Sequence, residues 1–386
     1  MGTFSRNIFQ KIKDNYYLQI LIIYIVWKIS LLIISYMGTL YFPIEHFSAP
    51  DKHMFPSIWA WWDGGIIHDI AVSGYNDQSN INNPIRTAFF PLYPFLVRFL
   101  SIYILKDIFL SQFIVSSLAM YGALIYLYKL VRIDYSKEIA LKSVFFTLIF
   151  PFSLFFNAGY TESLFLFLLI ASYYYFRKES YLPAGIFGFF SSLTRFFGIF
   201  LFIVFIYEYL RKINFNIRKI KLNILNFLLI PLGTFTFFLY LQYKFNDFFK
   251  TIKVENSFSR EINFNVIEVI HKAIDNILSK GIFNRDFILP FFEFTMPLLF
   301  LILSIYIFLK INKGYGLLGI LFLLPTFLGN QFMSGNRLVI VIFPIYILFA
   351  IYSEKNKIFE LALAIISISL LSIFSLAYTH QNIFIG

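Results

Sequence analysis

Long runs of apolar residues broken by short polar connectors dominate this chain, a pattern that predicts membrane-crossing helices rather than a water-soluble fold. The first run covers about 17 to 42 and follows Arg6, Lys11 and Lys13. It is too long for a signal-peptide core and lacks a small-residue cleavage pattern, so it reads as a retained first span with its N-terminus in the cytoplasm. Further runs fall near 108 to 130, 143 to 158, 162 to 176, 182 to 194, 196 to 210, 223 to 243, 288 to 309, 315 to 329, 338 to 352 and 358 to 378. Several fall short of the roughly 20 residues a straight span needs, which predicts tilted, broken or internally buried helices.

The connectors set the threading. Lys129, Arg132, Lys137 and Lys142, then Arg177 and Lys178, then Arg211 to Lys221, Lys310 with Lys313, and Lys355 with Lys357 fall on one side, as cytoplasmic segments do. The expectation is an all-α polytopic membrane protein of about eleven transmembrane helices, a single transmembrane domain over 1–386, with its C-terminus outside. Two long outer loops are expected, at 43–106 and 244–287. Within the first, 88–105 carries Pro91, Pro94 and Arg98 and reads as an interfacial or re-entrant helix on the outer leaflet. In the second, the apolar pairs Val266-Ile267, Val269-Ile270 and Ile277-Leu278 predict an amphipathic cap.

Composition removes the remaining classes. Charged residues are 14% of the chain and mean hydropathy is +0.73, too little polar surface to clothe a soluble body of 386 residues. The net charge of +11 lies mostly in short connectors, as topology requires, rather than in a stripe that would read nucleic acid. With no cysteine, disulfide frameworks, Cys-ligated zinc, iron–sulfur clusters and thiol nucleophiles are excluded. The five histidines, His46, His53, His68, His271 and His380, include no His-x-x-x-His pair, so a dedicated histidine metal site is not expected.

Charge at span ends carries the remaining information, because ionisable groups there face cavities and substrates. The first outer loop is richest. Trp59, Trp61 and Trp62 fix depth at the interface, Asp63 opens a short helix as N-cap or as a functional carboxylate, and Ile66, Ile67, Ile70 and Ala71 form its apolar stripe. His68 and Asp69 fall off that stripe, on a solvated polar face or on a substrate. Tyr75 and the run Phe89 to Pro94, which includes Tyr93, read as an aromatic belt or as substrate contacts. Arg195 and Arg337 sit at outer span ends against the charge rule; each snorkels or holds an anion. Thr161 and Glu162 begin a span, as a cap and a helix-dipole partner or as acceptor-orienting groups. Arg86 and Arg98 suit lipid headgroups or a phosphate. Asp63, Asp69 and Glu162 would make an oxygen site for Mg²⁺ or Mn²⁺ if folding brings them together.

These residues carry a resemblance. Trp62-Asp63, Ile70-Ala71, Gly74-Tyr75 and Phe89 to Pro94 resemble the first outer loop of the GPI mannosyltransferase II (PIG-V-like) family, integral-membrane glycosyltransferases of the GT-C class. Tyr160 to Ser163, Thr194-Arg195 with Gly198, and Asn336-Arg337 are similar to further blocks of that family, in family order. Ile66 stands where eukaryotic members carry a histidine. The resemblance implies a GT-C-like fold and transfer of a sugar, typically mannose, from a polyprenyl-phosphate donor to a lipid or glycan acceptor at the outer face, in the plasma membrane of a prokaryote or the endoplasmic reticulum of a eukaryote. An inverting transfer needs a base for the acceptor hydroxyl and fixed positive charge for the leaving phosphate. Asp63 is the expected base, Arg195 and Arg337 the phosphate ligands, and His68, Asp69, Tyr75, Tyr93, Tyr160 and Glu162 substrate-binding or supporting residues. A groove of Phe and Tyr is expected to hold the polyprenyl chain. No Gly-rich phosphate loop is present, which favours a lipid-linked over a nucleotide-linked donor. The competing class is a lipid or lipid-linked-sugar flippase, which predicts charge near mid-membrane and repeated halves. Only Lys28 reads as deep, and no repeat is visible.

Overall fold

A computed structural model of the chain describes residues 15–41, 54–75, 84–257 and 261–380. His46 and His53, and residues 43–53 and 76–83 of the first outer loop, lie outside the described residues. The described residues are helical throughout, apart from turns and one antiparallel bridge between Ile262 and Gly329. The first long helix, α1 (Tyr16–Tyr41), leads to the shorter helices α2 (Asp63–Ser73) and α3 (Leu92–Leu100). Then come α4 (Ile108–Val131), α5 (Lys137–Ile149), α6 (Glu162–Arg177), α7 (Tyr181–Thr194), α8 (Phe200–Lys212) and α9 (Leu229–Phe245). The connection after α9 holds α10 (Lys250–Ser257) and α11 (Val266–Lys280), before α12 (Ile288–Lys310) and α13 (Lys313–Leu328). The chain closes with α14 (Gly335–Leu338), α15 (Pro344–Lys355) and α16 (Lys357–Thr379).

Side-chain caps mark several starts. Asp107 accepts from the Leu110 amide at 2.9 Å, Ser136 from Ile139 at 3.2 Å, Asn312 from Tyr315 at 3.0 Å and Asn356 from Phe359 at 3.0 Å, each satisfying an amide the first helical turn leaves unpaired.

Among the described residues, five helices are long and apolar enough to cross a membrane: α1, α4, the segment Leu222–Phe245 that ends in α9, α12 and α16. A sixth is added if Gly335–Val341 and Pro344–Lys355, bent by 71°, form one broken span. The other apolar helices are shorter, and for α6 burial explains the length. Helix α6 has 16 residues, about 24 Å at helical rise, and nearly all of its first turns are buried, whereas the five long helices bury no more than 39% of their apolar windows and show the rest to lipid. A helix walled in by protein needs no lipid-matched length, because neighbouring chain satisfies the backbone at its ends.

Close packing is evident where α7 crosses α9. A Cβ placed on Gly233 would lie 2.2 Å from the Phe189 carbonyl oxygen, so the two backbones touch as small-residue interfaces in membranes do. Replacing Gly233 by Val is therefore expected to cost about 1–3 kcal/mol; a melting temperature unchanged from the wild type in detergent would contradict that crossing.

Helix α11 is amphipathic: Val269 and Ile277 are buried while Ile267 and Leu278 are exposed, and α11 packs on α12 and α13. Thr251 of α10 donates to the Thr87 carbonyl at 2.7 Å, tying α10 to the segment before α3, and the Asn263 amide donates to the Leu328 carbonyl at 2.6 Å. Segment 88–105 runs as α3 and a π-helical turn through Leu105, packed on α2, α4 and α7. Arg177 pairs with Asp134 through two 2.8 Å contacts, and Lys142 with Glu360 at 2.8 Å, at the ends of the helices that face the cationic connectors.

Candidate active site

Four charged side chains separated by up to 274 positions form one chain of contacts. Arg337 of α14 reaches Asp63 Oδ2 with Nη1 at 2.6 Å and Glu162 Oε1 with Nε at 3.0 Å. Arg195 reaches the same Glu162 oxygen with Nη1 at 2.5 Å and donates from Nη1 to the Thr161 hydroxyl at 3.2 Å. The order is Asp63, Arg337, Glu162, Arg195, alternating in sign and neutral in sum. Each member sits at the beginning or end of a helix: α2 opens at Asp63, α6 at Glu162, α7 stops before Arg195, and Arg337 lies in the short helix before the bend.

Burial divides the four. The Glu162 side chain is 2% exposed, Arg337 10% and Arg195 15%, while Asp63 keeps 26%. Neither arginine snorkels; each spends its charge on a carboxylate inside the protein. Asp63 is not the cap of α2. Trp62 occupies that position with a left-handed φ of 47° and no side-chain cap bond, and Asp63 is the first helical residue, turned to Arg337. Thr161 likewise makes no cap bond and serves Arg195 instead.

The floor beneath the charges is aromatic and tightly bonded. Tyr160 donates its hydroxyl to the Trp61 carbonyl at 3.0 Å while the Arg337 guanidinium lies 5.2 Å from its ring centre. Burial pushes the Tyr160 phenol well above its ordinary range and keeps it a donor. Tyr378 of α16 donates to the Trp59 carbonyl at 3.2 Å, and the Trp61 indole N–H donates to the Thr379 carbonyl at 3.3 Å. Gln112 of α4 donates to the Gly64 carbonyl at 2.9 Å and the Gly159 carbonyl at 3.3 Å, stitching α2 to the strip before α6. Of these supports, Gln112 is signalled in the sequence by an amide amid an apolar span. Tyr378, one of 26 tyrosines, carries no such signal.

Asp63, Tyr160, Glu162, Arg195 and Arg337 thus converge, whereas the other expected residues lie apart. Tyr93 is buried behind the site, bonded to the Gln112 carbonyl at 3.1 Å and Ser116 at 2.7 Å. Tyr75 donates to the Phe89 carbonyl at 2.7 Å and packs on Phe237 and Tyr240. Burial raises its phenol well above the usual range. His68 and Asp69 face a separate groove, with His68 Nδ1 3.3 Å from Asp69 and Arg86 3.3 Å from the other Asp69 oxygen. Arg98 donates from Nη1 to the Ala71 and Val72 carbonyls at 3.0 and 2.9 Å, closing the C-terminus of α2, and remains exposed. Lys28 donates to Ser117 at 2.7 Å over the Phe113 ring, within the α1–α4 contact.

Among the described residues no three His, Asp or Glu side chains converge as a metal cage requires. Asp63 and Glu162 share Arg337, and Asp69 points to Arg86 and His68, so the oxygen site envisaged for Mg²⁺ or Mn²⁺ is not assembled. Nor is the apolar trough the expected groove of Phe and Tyr. It occupies about 610 Å³ between α1 and α16 and is lined by Ile33, Ile34, Met37, Leu376 and Tyr41, while many of the bulkiest aromatic rings, Phe155, Phe156 and Tyr346 among them, are packed inside the core.

No protein-family model matches the chain, and no curated protein does. Among solved structures it is similar to the crystal structure of the Archaeoglobus fulgidus oligosaccharyltransferase in complex with Zn and sulfate, at 13% identity and a TM-score of 0.42 over 83% of this chain and 48% of that one. This chain therefore spans about half the length of that protein, and a likeness at this score assigns it neither family nor activity.

Proposed function

We propose that the chain is a GT-C-type glycosyltransferase that moves a sugar, mannose by its resemblance, from a polyprenyl-phosphate donor to a lipid or glycan acceptor at the outer membrane face. The observation that carries this reading is the alternating series Asp63, Arg337, Glu162, Arg195, with an accessible carboxylate at one end and two buried guanidiniums fixed beside it. In an inverting transfer the acceptor oxygen bonds to the anomeric carbon on the face opposite the phosphate. The carbon–oxygen bond to the phosphate breaks, and its electron pair leaves with the phosphate. Asp63, the most exposed of the four, takes the acceptor hydroxyl proton.

Charge grows on the departing phosphate, and preformed cations stabilise it without reorganising. Both contacts of Arg195 run through Nη1, so the rest of its planar fork suits two phosphate oxygens. Arg337 spans Asp63 and Glu162, so in this reading it aims the base as well as adding positive field. Glu162 is too buried to touch an acceptor and acts by holding both arginines. The apolar trough between α1 and α16 suits the prenyl chain. The cations Arg177, Lys212, Lys310 and Lys357 terminate or begin helices at the end away from Glu162, which supports an extracytoplasmic site and a cytoplasmic N-terminus.

A flippase is less well supported, because the paired charges stand at helix ends and Lys28 faces Ser117 rather than a cavity. The deciding experiment follows labelled mannose from polyprenyl-phosphate-mannose into lipids and glycans of membranes carrying the protein. Transfer is expected, with the apparent donor KM raised about tenfold or more in Arg195→Ala, the equivalent of about 1.4 kcal/mol. Equal donor KM in that variant would remove Arg195 from the phosphate role; silence with every polyprenyl-linked sugar tried would favour the flippase.

A further inference from the structure

A second concavity, of about 300 Å³, opens along α2, and Asp63 is not part of its wall. It is lined chiefly by Trp61, Trp62, Gly65, His68, Asp69 and Phe109. Its walls combine flat aromatic faces with groups that exchange hydrogen bonds. The His68 ring lies on Phe109 with centroids 4.5 Å apart and planes 18° apart, which fixes its orientation. Asp69 is 54% exposed at the side chain, and its bonds to His68 and Arg86 are both long, at 3.3 Å. Trp62 is 37% exposed. At Gly65 an added Cβ would meet nothing nearer than the Ala60 carbonyl oxygen, at 3.8 Å, an ordinary contact, so a side chain there would enter the groove without displacing a neighbour.

A prenyl or acyl chain has no use for Asp69 and His68, and an apolar trough exists elsewhere for it. A phosphate would meet the Asp69 carboxylate. A ring bearing several hydroxyls satisfies every wall at once: its C–H face packs on an indole, and its hydroxyls donate to a carboxylate and exchange bonds with an imidazole. We propose that this groove is the acceptor subsite and that it takes a pyranose-sized polyol, a sugar or cyclitol headgroup. The assignment rests on the glycosyltransferase reading, since it gives the groove a partner reaction. Trp62, which lines the groove, immediately precedes Asp63 in the chain, so the groove adjoins the segment that carries the proposed base.

The test uses the full-length protein in detergent, with methyl α-mannoside and myo-inositol as separate probes in saturation-transfer NMR, which needs no donor. Gly65→Leu fills the groove with a residue that favours helix over glycine. At least one probe is expected to bind the wild type, at least tenfold more weakly to Gly65→Leu, and more weakly to Asp69→Asn. A response to the mannoside alone identifies a sugar acceptor, and a response to myo-inositol alone a cyclitol headgroup. The proposal is overturned if neither probe binds the wild type, or if a folded Gly65→Leu binds as the wild type does. Transfer activity separates the two readings. Groove-dependent binding without transfer from any polyprenyl-linked sugar would sink the donor reading and leave the groove. Transfer with an unchanged acceptor KM in Gly65→Leu would sink the groove and leave the donor reading.

Discussion

Asp63→Asn is expected to lower sugar transfer by about 10²–10⁴-fold, the span associated with losing a positioned general base. The substitution keeps the shape of the side chain and an oxygen for Arg337, whose other contact, to Glu162 at 3.0 Å, is untouched. Folding should therefore survive, and donor binding with it, because the base acts on the acceptor. The checks are transfer rate, donor KM and thermal unfolding on the same preparation. A folded variant with wild-type kcat would show that the proton leaves by another route. A variant that fails to fold would show instead that the 2.6 Å contact to Arg337 is mainly structural.

Glu162→Gln should be the most damaging single change to stability. Glu162 is the shared counter-charge of two buried guanidiniums, and breaking a buried pair by removing one partner costs about 3–5 kcal/mol, since the remaining charge is left uncompensated. Arg337 retains the charge of Asp63, but Arg195 is left with neutral partners alone, the Thr161 hydroxyl and the Phe165 ring among them. If Arg195 bears the loss, removing it as well should restore part of it. The double variant Glu162→Gln with Arg195→Met is expected to be less destabilised than the sum of the singles, with a coupling of about 0.5–3 kcal/mol. Unfolding midpoints of the three proteins would show it, and strict additivity would mean that the two side chains do not depend on one another.

Much of this was legible in the residue pattern, and the illegible part has a common cause. Apolar runs located the membrane helices because lipid imposes a period and a length on what it touches. A helix enclosed by protein, such as α6, escapes that length rule, so pattern alone does not settle how many cross. Asp63, Arg195 and Arg337 stood out because each is a charge where the membrane makes charge costly. Their pairing did not, since contacts between positions 63, 162, 195 and 337 have no periodic trace. Local reasoning suggested caps for Asp63 and Thr161, and in both cases a distant arginine won, a charge-assisted bond being stronger than a cap. Tyr93, placed with the substrate on its motif, instead bonds Gln112 and Ser116 behind the site.

The bonds from Tyr378 to Trp59 and from Trp61 to Thr379 join the segment around Asp63 to the end of the last helix. At a synthesis rate of about 5–20 residues per second, Asp63 is made roughly 15–60 s before Tyr378. Arg337 completes the set of four charges only at the end of that interval, so for roughly 2–8 s the nascent protein carries all four without the wall that completes their surroundings. A ribosome that stalls after residue 340 would release a chain with every charge of the site and no closed site, so activity should appear only once synthesis has passed the final helix.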